Sequence, residues 1–181
     1  GLDLSGNGSL IADGNSFNDG SAATLGTGQW TQAGDVWGSG NLTISSNANY
    51  GKIIIAGDIS HSGNTTIDNK SAGMVLELGA SSTYTFNPAI TGICNQINGQ
   101  DPTNSQLIAS GIFIINTEGA NLTHGNSWVI VNVSSLEATF GNSFAVQGFT
   151  KSSDNWTRID SNRIWTFSEA TGILTLSNNP Y

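Results

Sequence analysis

Gly51-Lys52-Ile53-Ile54-Ile55-Ala56-Gly57-Asp58-Ile59-Ser60-His61-Ser62-Gly63-Asn64-Thr65-Thr66-Ile67 contains the grammar of the whole chain: a short β-branched run, a polar turn built on Gly, Asn or Asp, and another short run. β-Branched side chains lose rotamer freedom in a helix and pack well on a pleated surface, so both runs predict strands. The pattern extends outward to Leu42-Thr43-Ile44, Met74 to Leu78, Tyr84-Thr85-Phe86, Ile112 to Ile115 and Val129 to Val133. Many short strands separated by turn residues at intervals of roughly eight to twelve define an all-β chain. No stretch sustains a helical period. A turn or two of helix is expected only at Ser134 to Phe140, with serine as N-cap and Gly141 as the stop.

Two all-β architectures compete, and the turns decide between them. A β-sandwich of antiparallel hairpins calls for tight two-residue Asn-Gly turns between alternating strands. The linkers here are irregular in length, as in Ala56-Gly57-Asp58, His61-Ser62-Gly63-Asn64 and Asp68 to Gly73. Gly and Asn tolerate the left-handed backbone that the corners of a stacked coil need. The expected fold is therefore a right-handed parallel β-helix, a β-solenoid, with the β-sandwich as the alternative. Ile53-Ile54-Ile55, Met74-Val75-Leu76, Ile112 to Ile115 and Trp128 to Val131 are continuously apolar rather than alternating, which predicts strands covered on both faces.

Residues 1–181 are read as one elongated domain, with a possible division into stacked coils over 1–120 and an aromatic-rich closing module over 121–181. Only 10% of residues are charged, so the surface depends on amides and hydroxyls for hydration. Thirteen acids against five bases would repel nucleic acid. No segment approaches the ~20 apolar residues of a membrane span. The lone Cys94 forms no intrachain disulfide and is expected to be a buried small hydrophobe. A first residue other than Met suggests a processed or excised segment.

The stretch 51–67, followed by Ala72-Gly73-Met74-Val75-Leu76-Glu77-Leu78-Gly79, resembles the autotransporter-associated β-strand repeat: a Gly-led strand, a polar turn, a Gly-x-Thr-Thr-Ile strand, then an Ala-Gly turn and a Leu-x-Leu-Gly strand. The likeness covers one repeat. The C-terminal segments Gly125 to Val131, Phe140 to Phe144 and Trp165 to Leu176 are similar to the closing module of large bacterial surface proteins of planctomycete and verrucomicrobial type. These resemblances imply a right-handed β-helix displayed at the cell surface or outside the cell. They carry over no catalytic residue.

Candidate chemistry is sparse. His61 and His124 both fall in polar turns without metal-ligand spacing and are expected to be solvated. Asp13, Asn15 and Asp19 set oxygens at alternate positions around glycines, a loop that calcium could use. It lacks the bidentate Glu of an EF-hand, so an Asx-rich turn is preferred and no cofactor is expected. The acids are dispersed singly, and no Gly-x-Ser-x-Gly elbow appears. Trp30 and Trp37 stand in a polar, Gly-rich stretch where an exposed indole needs a reason, and they are the candidate ligand-binding pair.

The functional expectation is a non-catalytic extracellular structural protein, a self-assembling fibre, surface-layer or stalk segment. Its partners would be further copies stacked head to tail, or neighbouring segments of a longer surface protein. An adhesin-like carbohydrate-binding module is the alternative, with a glycan as partner.

Overall fold

The computed structural model describes residues 1–12, 28–46, 50–68, 73–89 and 93–179. Among them the chain is all-β, without helix, and its sheets are mostly parallel.

The chain visits three faces in fixed rotation. The first circuit lays down β1 (Leu2–Leu4), β2 (Gly8–Ala12) and β3 (Gly28–Gln32), and the second β4 (Val36–Gly38), β5 (Leu42–Ser46) and β6 (Gly51–Ile55). The third places Ile59 as an isolated bridge on the first face, then β7 (Thr65–Asp68) and β8 (Met74–Leu78). The fourth gives β9 (Thr83–Phe86), β10 (Ile97–Gly99) and β11 (Ser105–Ala109). The fifth gives β12 (Ile112–Ile115), a bridge at Val131 and, after β13 (Ser127–Val129), strand β14 (Glu137–Phe140); β15 (Ala145–Val146) returns to the first face. The second face runs β2-β5-β7-β10 and the third β3-β6-β8-β11-β14, with every pairing parallel. Ile59 joins the two parts of the first face by pairing with Val36 and Tyr84.

In-register stacking aligns like positions into columns. On the third face Trp30, Ile53, Leu76, Leu107 and Ala138 pair in succession, and Ile53, Leu76 and Leu107 are fully buried. On the first face Val36, Ile59, Tyr84, Phe113 and Val146 form the matching inward column. With Leu10, Ile44 and Ile67 on the second face, these inward columns supply the core, because period-2 alternation sends every second side chain to the same side.

The apolar runs correct one expectation. Burial alternates along Gly51–Ile55, Met74–Leu78 and Ile112–Ile115, so their outer residues such as Ile54 and Val75 are half-buried by neighbours on the same face rather than overlaid. At Trp128 to Val131, by contrast, Trp128, Ile130 and Val131 are all buried. The expected helix at Ser134 to Phe140 is instead a turn leading into β14. Pairing of Glu137 to Phe140 with β11 and burial of Leu136 outweigh the local cap signals.

The remaining strands form an antiparallel sheet. β16 (Thr150–Ser152), β17 (Asn155–Asp160), β18 (Arg163–Ser168) and β19 (Ile173–Asn178) pair in order, and β13 adds to β19. Its inner face carries Trp128, Trp156, Trp165, Phe167, Leu174 and Leu176, all buried. Phe167 packs on Phe113, Phe140 and Phe144 of the last parallel circuit, so this sheet covers the apolar interior at that end. Arg158 fastens the joint: its Nη2 donates to Thr117 Oγ1 at 2.8 Å while the guanidinium lies over the Phe149 ring at 5.0 Å.

Candidate functional site

The corner between the first and second faces is where polar side chains converge. Backbones of successive circuits approach closely there, and a Cβ on Gly63 would collide with the Gly40 carbonyl, so glycine is required. One residue further on, an asparagine ladder climbs the stack. Asn7 Oδ1 accepts the Asn41 N–H at 3.0 Å, Asn41 Oδ1 accepts the Asn64 N–H at 2.8 Å, and Asn64 Oδ1 accepts the Gln96 N–H at 3.1 Å. At another corner Asp35 Oδ1 accepts the Asp58 N–H at 2.9 Å, and Asp58 Oδ1 accepts the Thr83 hydroxyl at 2.9 Å. Both ladders satisfy turn N–H groups that no strand pairing would reach.

Beneath the asparagine ladder lies a sealed polar cluster. His61 is completely buried, which corrects its reading as a solvated turn residue. The reason is tertiary: its ring meets partners from both neighbouring circuits. His61 Nδ1 bonds the Gly40 carbonyl at 3.1 Å, and Nε2 lies 2.9 Å from Thr65 Oγ1 and 3.2 Å from the Tyr84 hydroxyl. A carbonyl only accepts, so Nδ1 carries the proton and Nε2 accepts from a hydroxyl. Thr65 and Tyr84 close the triangle at 2.6 Å. Burial pulls the His61 pKa down, opposed by the Gly40 bond. Burial likewise pushes the Tyr84 pKa up, with the Thr65 bond opposing. The cluster is thus neutral and fully bonded. A histidine beside two hydroxyls has the makings of a nucleophilic site, but Thr65 and Tyr84 are as buried as His61 and no substrate reaches them. What the triangle does is hold three circuits in register.

Outside this floor a groove of about 460 Å³ opens along the corner. Asn41, Asn64, Gln96, Asn87, Ile93 and Cys94 are among the residues that line it. Asn95 sits at its base, buried, with Nδ2 donating to the Thr85 and His61 carbonyls at 2.8 and 3.2 Å and Oδ1 accepting the Asn87 N–H at 2.7 Å. Cys94 is half-buried rather than buried, and desolvation pushes its thiol up to about 12. No charged side chain is among the groove's described lining.

The structure separates the two candidate tryptophans. Trp30 occupies the inward column of the third face at its terminal strand and is 42% exposed, because among the described residues nothing stacks beyond β3. Trp37 points outward from β4, opposite Asp3, with its ring against Gly1. Neither borders the groove. Asp13, Asn15 and Asp19 lie outside the described residues. Among those described, no group of three His, Cys, Asp or Glu side chains is placed to hold a metal ion. His124 is exposed, its Nδ1 accepting the Asn178 N–H at 3.2 Å. No helix among the described residues is long and apolar enough to cross a membrane.

The groove residues were hard to find from sequence because they come from separate circuits. Their one visible signal is the recurrence of a polar amide directly before Leu42, Thr65 and Ile97, each paired with the next.

No family model, curated protein or solved structure matches the chain.

Proposed function

We propose that this protein is a non-catalytic structural segment, a right-handed β-solenoid that serves outside the cell as a stalk or surface-layer piece. The carrying observation is the asymmetry of the two ends. One end of the interior is covered by the antiparallel sheet through Phe167. At the other, Trp30 stands in the inward column half-exposed, on a strand with no outer partner among the described residues.

The three-face rotation, the in-register columns and the amide ladders support the solenoid reading. The right hand follows from the strong preference of parallel crossovers for that sense. A display or scaffold role fits a surface of amides and hydroxyls with few charges. The covered end disfavours an endless head-to-tail polymer and favours stacking through the Trp30 end alone. Burying the rest of that indole is worth about 2 to 3 kcal/mol per chain at ~25 cal/mol per Å². β2 and β3 carry no charged residue to discourage strand addition.

Light scattering over a concentration series tests this reading. Wild-type protein is expected to associate, and Trp30→Lys to stay monomeric. Equal behaviour of the two proteins would refute the stacking role of this end.

A further inference from the structure

We propose that the amide-lined groove above Asn95 binds a neutral glycan chain. This goes beyond the structural role and does not depend on it.

The ladder engages the oxygens of Asn41 and Asn64, since each Oδ1 accepts the N–H of the next circuit with one of its two lone pairs. Each Nδ2 has no partner among the described residues and is not a buried unpaired atom, so it stands in the groove lining as a solvent-accessible donor. Stacked strands repeat at about 4.8 Å, so the groove wall offers a short row of two N–H donors at that spacing, beside the Ser62 hydroxyl and the Gln96 amide. The complement to such a row is a chain rich in acceptors, which hydroxyl, ring and glycosidic oxygens of a polysaccharide supply. Ile93, 59% exposed in the same lining, gives the apolar contact that the C–H face of a sugar ring needs. An uncharged lining within a chain of net charge −8 selects neutral glycans over acidic ones. The floor is already ordered by the Asn95 bonds to Thr85, His61 and Asn87, so little conformational freedom remains to be lost on binding.

The test is retention on a panel of immobilised neutral oligosaccharides, with carboxylated and sulfated ones beside them. The variant Asn41→Asp/Asn64→Asp keeps both ladder acceptors and removes both donors. Wild type is expected to retain at least one neutral glycan, and the double variant to bind it at least tenfold more weakly with an unchanged melting temperature. Trp30→Ala/Trp37→Ala should bind as wild type does. Should the double variant melt lower, Ile93→Ser, at an exposed position, carries the same reading through a tenfold loss. Failure to retain any neutral glycan, retention of charged glycans alone, or undiminished binding by these groove variants would overturn the proposal. Self-association through the Trp30 end is expected to be untouched in the groove variants, so the two readings fail separately.

Discussion

Phe113, on the inward face of β12, meets Phe167 of the antiparallel sheet edge-on, with ring centroids 5.9 Å apart. The two rings belong to different sheets, and Phe140 and Phe144 pack on both of them. The closing sheet and the parallel stack therefore share one core.

Shared burial makes unfolding cooperative across the two parts. Phe167→Ala removes a fully buried ring and is expected to cost about 3 to 5 kcal/mol. Chemical denaturation should show one transition at a lower midpoint with intrinsic fluorescence and circular dichroism coinciding. Two separated transitions would contradict a continuous core.

The asparagine ladder separates two chemically close substitutions. Asn64→Ala leaves the Gln96 N–H without its acceptor and should lower stability by about 1 kcal/mol. Asn64→Asp keeps an oxygen in place and is expected near wild type at neutral pH. A thermal melt of the pair checks the assignment, and an equal loss in both would show that the oxygen is not what matters.

Gly63→Ala meets backbone rather than a side chain that can move aside, because its new Cβ would strike the Gly40 carbonyl. The expected loss exceeds about 2 kcal/mol. Gly119→Ala, at a position with open space around it, is the control and should change little.

Acid should weaken the protein through His61. Desolvation lowers its folded pKa below the usual 6.5, so between the two values the unfolded chain binds more protons than the folded one. The contribution is fully present above about pH 6.5 and is lost as pH falls through the folded pKa. Denaturant midpoints measured from pH 7.5 downward should decline in wild type. His61→Gln should be less stable at pH 7.5 and show a shallower decline. An equal slope in both proteins would remove His61 from the account.

Much of the fold was legible in the sequence for a local reason. β-Branched runs such as Ile53 to Ile55 and turns such as Ser62-Gly63-Asn64 state strand and corner directly, and the structure places a strand and a corner there. What stayed hidden depends on residues brought together by the stacking, most of them 20 to 40 positions away. His61 looked solvated between two serines, yet Gly40, Thr65 and Tyr84 enclose it. Ser134 to Phe140 carries helix-cap residues, yet β11 offers a partner that draws it into a strand. Trp30 stands in the sequence as an indole without cover, and only the register with Ile53 identifies it as the last member of an inward column among the described residues. The groove left only the recurring amide before Leu42, Thr65 and Ile97 as a trace, since no local pattern says that Asn41, Asn64 and Gln96 stand side by side.

Electron microscopy of the native protein at several concentrations tests the stacking account most directly. Single particles are expected at low concentration, and pairs joined at the end away from the antiparallel sheet at high concentration. Monomers at every concentration, or filaments of many copies, would contradict it.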